Sequence, residues 1–373
     1  MKKVVIIGGG FAGLSALKVL ARSGLGLKVV LIDRKQTFGF LPLLPDCIGR
    51  GINPDNLVCK IINICKKFQA DFINKEVEAV NLEQKKIYLE AENLSYDYLV
   101  ISSGSETNFY GNNEIRLCSN ALDDAVDAEK IVSALKENNF DNYLVVGGGY
   151  TGVEVATNLR IYLDKAKKTG EIIIVERAAS ILGNLPEWMK IYVLDNLKRL
   201  KINAYTGNSL SNVDKYRVRL SDGREFNNCL VVWAAGVKTG SFIQNLAIEK
   251  NPQGRIKVDE YLRLNETCFV CGDAANFSFK NNFLRMAVQF SITEGEVAAE
   301  NIVRSIKGGS LSKFKPVDLG YIIPMANNRS CGEVFGFRVK GVLATLLHFI
   351  MCIYRSCSIK NKIGILKNLS KGG

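Results

Sequence analysis

The chain has 373 residues, of which 47% are hydrophobic, and carries a formal net charge of +12. That is enough apolar material for two or three domains with their own cores, and it excludes an intrinsically disordered chain. No apolar run reaches the length of a membrane-spanning helix, and the first one breaks at Gly8 before a secretory signal core would form, so a cytoplasmic protein is expected.

Residues 3–13 read KVVIIGGGFAG. Val4 to Ile7 form a buried parallel strand that runs into Gly8, Gly10 and Gly13, and an apolar helical pattern follows as far as Gly24. Gly8 permits the sharp turn, Gly10 lets backbone approach a pyrophosphate, and Gly13 lets the helix pack on the strand. The helix start then offers unpaired N–H groups to the anion. A second strand, 28–32, ends in Asp33, where a carboxylate takes a ribose 2′-hydroxyl.

The next stretch, 37–51, holds two prolines and several glycines and is expected to be an irregular apolar loop. Residues 68–80 and 85–89 suggest a strand pair. Residues 96–102 suggest another buried strand, followed by Ser103 and Gly104. A helix is expected over 121–136, with Asp123, Asp124 and Asp127 at its start.

The opening motif then returns. Residues 142–156 read NYLVVGGGYTGVEVA, with Gly147, Gly149 and Gly152 at the same spacing, and the strand 171–175 ends in Glu176. One chain thus carries two complete dinucleotide units, an internal repeat. Glu176 should accept from a free 2′-hydroxyl and repel a 2′-phosphate, which favours NAD over NADP, although Arg177 beside it would suit the phosphate.

Beyond it, Ser221-Asp222-Gly223 marks a hairpin turn. Cys268 and Cys271 lie three apart in a strand pattern and point to opposite faces, so they read as packing rather than as metal ligands. The ten cysteines show no framework spacing and are expected to be reduced, and no metal site is expected. A helix over 286–306 should turn Val288, Ile292, Ala299 and Val303 inward and expose Glu294, Glu296 and Glu300.

The end of the chain differs. Residues 341–354 are apolar on every side; as a helix they span ~21 Å, short of the ~30 Å hydrocarbon core. No acid follows Glu333, whereas Arg338, Lys340, Arg355, Lys360, Lys362, Lys367 and Lys371 do. This is the pattern of a segment lying in one leaflet with its lysines on anionic headgroups; a docked or dimer-forming helix is the alternative. His348, within the helix, reads as packing.

Two GxGxxG units, a strand-terminal Gly272-Asp273 and a basic apolar tail resemble the two-dinucleotide-binding flavoproteins, and among them the type II NADH dehydrogenases, single-subunit NADH:quinone oxidoreductases. The resemblance covers nearly the whole chain. It implies an α/β fold of two doubly wound, Rossmann-like domains and a short C-terminal membrane-binding part. It implies that Gly8, Gly10, Gly13 and Asp33 bind FAD, with Pro42 and Leu43 in the flavin-proximal loop, Ser103 and Gly104 alongside, and Asp273 on the ribityl chain. It further implies that Gly147, Gly149, Gly152 and Glu176 bind NADH, together with Ala235 and Gly236 of the WAAGV stretch. Glu154 and Gln289 would be the catalytic residues, Gln289 standing where the family carries a glutamine pair. The expected layout is 1–107 and 234–316 for FAD, 108–233 for NADH, and 317–373 for the membrane, with a quinone as acceptor and a homodimer left open.

Rivals to this reading differ in their cysteines. A dithiol reductase needs a CxxxxC pair near the first unit, and only Cys47 lies there. A single-cysteine reductase of the coenzyme A disulfide or persulfide type would use Cys47, and a sulfide:quinone oxidoreductase would draw on residues such as Cys118 and Cys331. A flavin-bearing sensor that binds nucleic acid is a non-enzyme alternative. The positive charge, however, lies beside apolar helices with few interleaved aromatics, and no nucleic acid is expected.

Overall fold

The computed structural model describes residues 1–280 and 282–372; the side chain of Lys371, counted above in the basic tail, lies outside the described part. The chain divides into two compact units. One comprises Met1–Phe38, Cys59–Glu106 and Val237–Asp318, the other Gly39–Val58, Thr107–Gly236 and the residues from Leu319 onward.

In the first unit a six-stranded sheet runs Arg263–Asn265, Cys268–Val270, Tyr98–Ile101, Lys3–Ile7, Lys28–Ile32, Asp71–Ile73 across its width. All neighbours pair in parallel except the Arg263–Asn265 edge strand. Val5 stands opposite Val30 on one side and Leu99 on the other. Val4, Val5 and Ile6 are fully buried, which explains a continuous apolar run: a parallel sheet is covered on both faces, so nothing selects for alternation. Helices Phe11–Ala21 and Val288–Ile306 pack tightly, since a Cβ on Gly295 would collide with the carbonyl of Ala12.

The second unit repeats the plan with four parallel strands in the order Ile202–Thr206, Glu171–Glu176, Asn142–Val146, Cys229–Trp233. Counted within the sheet itself, each has its third, second, first and fourth strands side by side. In each, a three-stranded antiparallel meander precedes the fourth strand: Val77–Asn81, Lys86–Leu89 and Glu92–Ser95 in one, Leu210–Val213, Val218–Leu220 and Glu225–Phe226 in the other. The fold is therefore α/β with two doubly wound units, as expected, and the repeat extends well past the glycine turns.

The tail belongs to the second unit. A three-stranded antiparallel sheet, Gly320–Ile323, Cys331–Val334 and Phe337–Lys340, leads into helices Gly341–Arg355 and Ile359–Gly372. Ala344, Thr345, Phe349 and Cys352 are buried, while Val342, Leu343, Leu346, Ile350 and Tyr354 are all more than half exposed. One apolar face of this helix thus has no cover. Among the described residues no helix is long and apolar enough to cross a membrane.

Four local expectations are corrected. The 37–51 stretch is not irregular: it holds a 3-10 turn, Leu41–Leu43, and a helix, Leu44–Gly49. Its prolines fall in the first positions of each, where no N–H is needed. From Gly39 onward it groups with the second unit, where Gly49 lies against the backbone of Asn158 too closely for a Cβ. Residues 68–80 are not one strand, since Asp71–Ile73 joins the parallel sheet and Val77–Asn81 the meander. The 121–136 helix begins only at Ala125, because the Asp124 side chain accepts from the Asp127 N–H and caps it there. Finally, Glu294 is not exposed but 2% accessible, and Val288, Ile292 and Val303 are only half-buried.

Candidate functional site

The two glycine turns are built alike. Gly8 has φ +101° and Gly147 φ +111°, and a Cβ on either would collide with a carbonyl, of Ser102 or of Ala234. A Cβ on Gly13 or Gly152 would strike the carbonyl of Gly8 or Gly147, the close approach of helix to strand. Gly10 and Gly149 have nothing within 4 Å on that side, and each starts its helix without a side-chain cap. The first-turn N–H groups are therefore left for an anion.

The acids at the strand ends close both turns. Asp33 Oδ2 accepts from Gly9 N–H at 2.6 Å and its Oδ1 from Lys35 N–H at 2.7 Å. Glu176 Oε2 accepts from Gly148 N–H at 2.6 Å and its Oε1 from Ala178 N–H at 2.7 Å. Each carboxylate is thus fixed at the lip of its turn by two backbone donors.

In the first unit a cleft lined by Gly8, Asp33, Arg34, Ser103 and Ser105 follows this turn. Ser103 Oγ is buried there without a hydrogen-bond partner, and Gly104 takes φ +69°. Gly272, at φ +70°, lies against Ala12 of the first helix, and Asp273 Oδ2 accepts from Ser105 Oγ at 2.8 Å. Burial raises the Asp273 carboxyl above its ordinary value against the opposing pull of Ser105 and Arg255.

Glu294, which the periodicity places outside, supports that turn by accepting from Gly272 N–H at 2.6 Å. Burial pushes its carboxyl up to about 8, against this N–H and Arg255. The folded protein therefore holds the Glu294 proton more tightly than the unfolded chain, whose ordinary value is 4.5. This contribution to stability is complete below that value and lost as pH rises through 8. Glu294→Gln keeps an acceptor for Gly272 and cannot ionise. It should melt with wild type at pH 5 and above it at pH 9, whereas a difference that does not change with pH would contradict the assignment.

In the second unit the expected WAAGV stretch is held by Asn108, Phe109 and Tyr110, which carry no sequence signal. Trp233 Nε1 donates to Asn108 O at 2.9 Å, Phe109 stacks on the Trp233 ring, and Tyr110 Oη donates to Ala235 O at 2.8 Å. Gly236 takes φ +136°.

Glu154 sits on the Tyr150–Ala166 helix that follows this turn. Burial, and then the charge of Asp46, push its carboxyl well above the ordinary carboxylate range. Asp46 Oδ1 lies 3.0 Å from Arg50 Nε, and burial still raises Asp46 to about 6 despite that cation. Arg50 Nη2 donates to Asn328 Oδ1 at 2.8 Å, and the guanidinium stands 4.9 Å from the Phe349 ring centroid. Burial, with Arg50 beside it, lowers His348 to about 4, so its ring is neutral at pH 7. The Asp46–Arg50 pair, Glu154 and His348 are far apart in sequence, and only Glu154 among this group was expected to act.

The remaining expected residues are placed separately. Pro42 and Leu43 lie on the 3-10 turn of the second unit, with Leu43 fully buried. Gln289, in the first unit, is buried and donates through Nε2 to Asp318 Oδ1 at 3.0 Å. Cys47 is 4% exposed, with its thiol on Leu43 O, and burial pushes it far above the thiol range. Burial likewise pushes Cys331 up to about 12. Such thiols are not nucleophiles.

The family model described as pyridine nucleotide-disulphide oxidoreductase matches residues 2–299. A type II NADH:quinone oxidoreductase of Haemophilus influenzae is 27% identical over 90% of this chain and 87% of its own length. A demethylphylloquinone reductase of Synechocystis is 25% identical over 95% of this chain and 92% of its own. In fold the chain is similar to NDH2 of Plasmodium falciparum, solved in complex with NADH, with a TM-score of 0.86 and 20% identity over 99% of this chain and 98% of that one.

Proposed function

The chain belongs to the pyridine nucleotide-disulphide oxidoreductase family, and from that premise we propose that it oxidises NADH through FAD and reduces a membrane quinone, without pumping protons. The observation that carries this reading is the doubled turn, each copy with an open, uncapped helix start and an acid fixed at its lip. The residues fit two dinucleotides: a Cβ at Gly10 or Gly149 would project into the open side that glycine leaves for a pyrophosphate, and Ser103 Oγ, buried without a partner, suits the first of them. The similar type II NADH:quinone oxidoreductase named above supports the choice of quinone.

When bound, FAD accepts hydride from NADH and gives up two electrons. Gly8, Gly10 and Gly13 would hold its pyrophosphate and Asp33 its ribose, with Ser103, Gly104, Gly272 and Asp273 along the rest, and Pro42 and Leu43 by the flavin. Gly147, Gly149 and Gly152 would hold NADH with Ala235 and Gly236, and Glu176 would select it over NADPH by accepting from the free 2′-hydroxyl. Glu154, whose carboxyl burial raises well above the ordinary carboxylate range, would supply a proton for quinone reduction. Gln289 would hydrogen-bond the quinone. The uncovered face of the 341–355 helix, with the basic residues around it, would lie on the anionic cytoplasmic face of the membrane. A homodimer through the same face is the competing arrangement.

Buried, unionised Cys47 and Cys331 do not favour the thiol-based alternatives. The test is steady-state NADH oxidation by FAD-loaded protein, comparing a short-chain quinone with coenzyme A disulfide and polysulfide. Quinone reduction that is fast and within twofold in Cys47→Ala is expected. Disulfide or polysulfide turnover that disappears with Cys47 would overturn the proposal.

A further inference from the structure

On the Glu187–Arg199 helix, Trp188 and Tyr192 lie one turn apart and share a face. Three cations gather over these rings. Lys340 Nζ stands 4.9 Å from the Trp188 centroid and 5.2 Å from that of Tyr192. Arg338 Cζ is 5.3 Å from Trp188 and Arg329 Cζ 5.5 Å from Tyr192. Arg338 and Lys340 alternate along the Phe337–Lys340 strand and so project to the same side.

The acids at this spot fall short of the cations. Trp188 Nε1 donates to Glu333 Oε1 at 3.3 Å, and Asp195 lies 3.7 Å from Arg329 Nη2 but also binds Arg199 at 2.9 Å. Arg199, Arg329, Arg338 and Lys340 thus share two carboxylates, and Arg329 Nε is buried with no hydrogen-bond partner. Ring stacking places the cations but does not neutralise them. The surroundings are apolar and exposed: Ile191 on the same helix is 60% accessible, and the strand runs directly into Val342 at 68%. Tryptophan and tyrosine with basic neighbours beside uncovered apolar side chains is the arrangement found at headgroup depth.

We propose that Arg329, Arg338 and Lys340, held over Trp188 and Tyr192, form a phosphate site, and that its occupant is the phosphodiester of an anionic lipid headgroup. The lipid source rests on the membrane reading above. A phosphodiester, with its single negative charge, would offset half of this excess and accept from the exposed Arg338 and Lys340 side chains, while its acyl chains would continue along the uncovered face of the 341–355 helix.

The test uses FAD-loaded full-length protein, Arg338→Gln/Lys340→Gln, and a control, Lys360→Gln/Lys367→Gln, which removes the same charge from the last helix. NADH oxidation checks that each variant is folded. Monomeric dihexanoyl phosphatidylglycerol should change tryptophan fluorescence saturably in wild type and in the control. The site variant should show no change, and neither should Trp188→Phe. On phosphatidylglycerol vesicles the control should lose roughly fivefold in partitioning per charge removed, the general surface effect, and the site variant clearly more. Equal losses in the two pairs, or a fluorescence response that survives in the site variant, would overturn the site. Inorganic phosphate that binds as well as the lipid would overturn the lipid assignment. Wild type that ignores vesicles yet binds the monomeric lipid would remove the membrane reading and leave this site standing.

Discussion

Gly147→Ala is expected to abolish NADH oxidation while leaving FAD in place. The residue sits at φ +111°, where an L side chain is strained, and its Cβ would meet the carbonyl of Ala234. The turn must open to admit it, which displaces the helix start that is to hold the pyrophosphate. A loss of about 4 kcal/mol in cofactor binding corresponds to roughly a thousandfold in kcat/KM. Gly8→Ala is the mirror experiment, with its Cβ against Ser102. It should yield protein lacking flavin absorbance. The pair assigns the turns separately, because each lies in its own unit. If Gly147→Ala lost its flavin and kept its affinity for NADH, the assignment of the two turns would have to be exchanged.

The second large effect is expected from Arg50→Ala. The Asp46 side chain is 5% exposed and that of Arg50 14%, so removing the cation leaves a carboxylate buried without its partner. Breaking such a pair costs about 3–5 kcal/mol. The loss should depend on pH. Asp46 titrates at about 6 in the folded protein against an ordinary 3.8, so the fold binds this proton more tightly than the unfolded chain. The associated stability is present below the ordinary value and lost as pH rises through 6. Without Arg50 the folded value moves higher still, and the penalty should be small at pH 5 and full at pH 8. A residual loss at all pH comes from the contacts of Arg50 with Asn328 and Phe349. Urea denaturation at the two pH values measures the difference, and a penalty equal at both would show that Asp46 is not the partner that matters.

The legible parts of this chain are those where local geometry demands a residue type. Gly8 and Gly147 must be glycine because of their φ and the carbonyl beside them, and Asp33 and Glu176 must follow the second strand to reach the turn. Covered parallel strands need unbroken β-branched runs, so the sheets could be read directly. What failed was local in form but tertiary in cause. Glu294 looks solvent-facing in a helical pattern, yet the N–H of Gly272, 22 residues earlier, donates to its carboxylate in the interior. The prolines of 37–51 suggest an irregular loop until their places at the helix starts are known.

The sequence by itself determined two dinucleotide units, the α/β class and a basic, apolar tail, because glycine spacing, strand-end acids and charge runs act within a few residues. Only the tertiary structure decided the surroundings of Glu154 and the gathering of Arg329, Arg338 and Lys340 over Trp188 and Tyr192. Residues some 100 to 300 positions apart carry no spacing rule. Their effect on one another comes from desolvation and charge at distances of a few ångströms, and those distances exist only after the chain has folded.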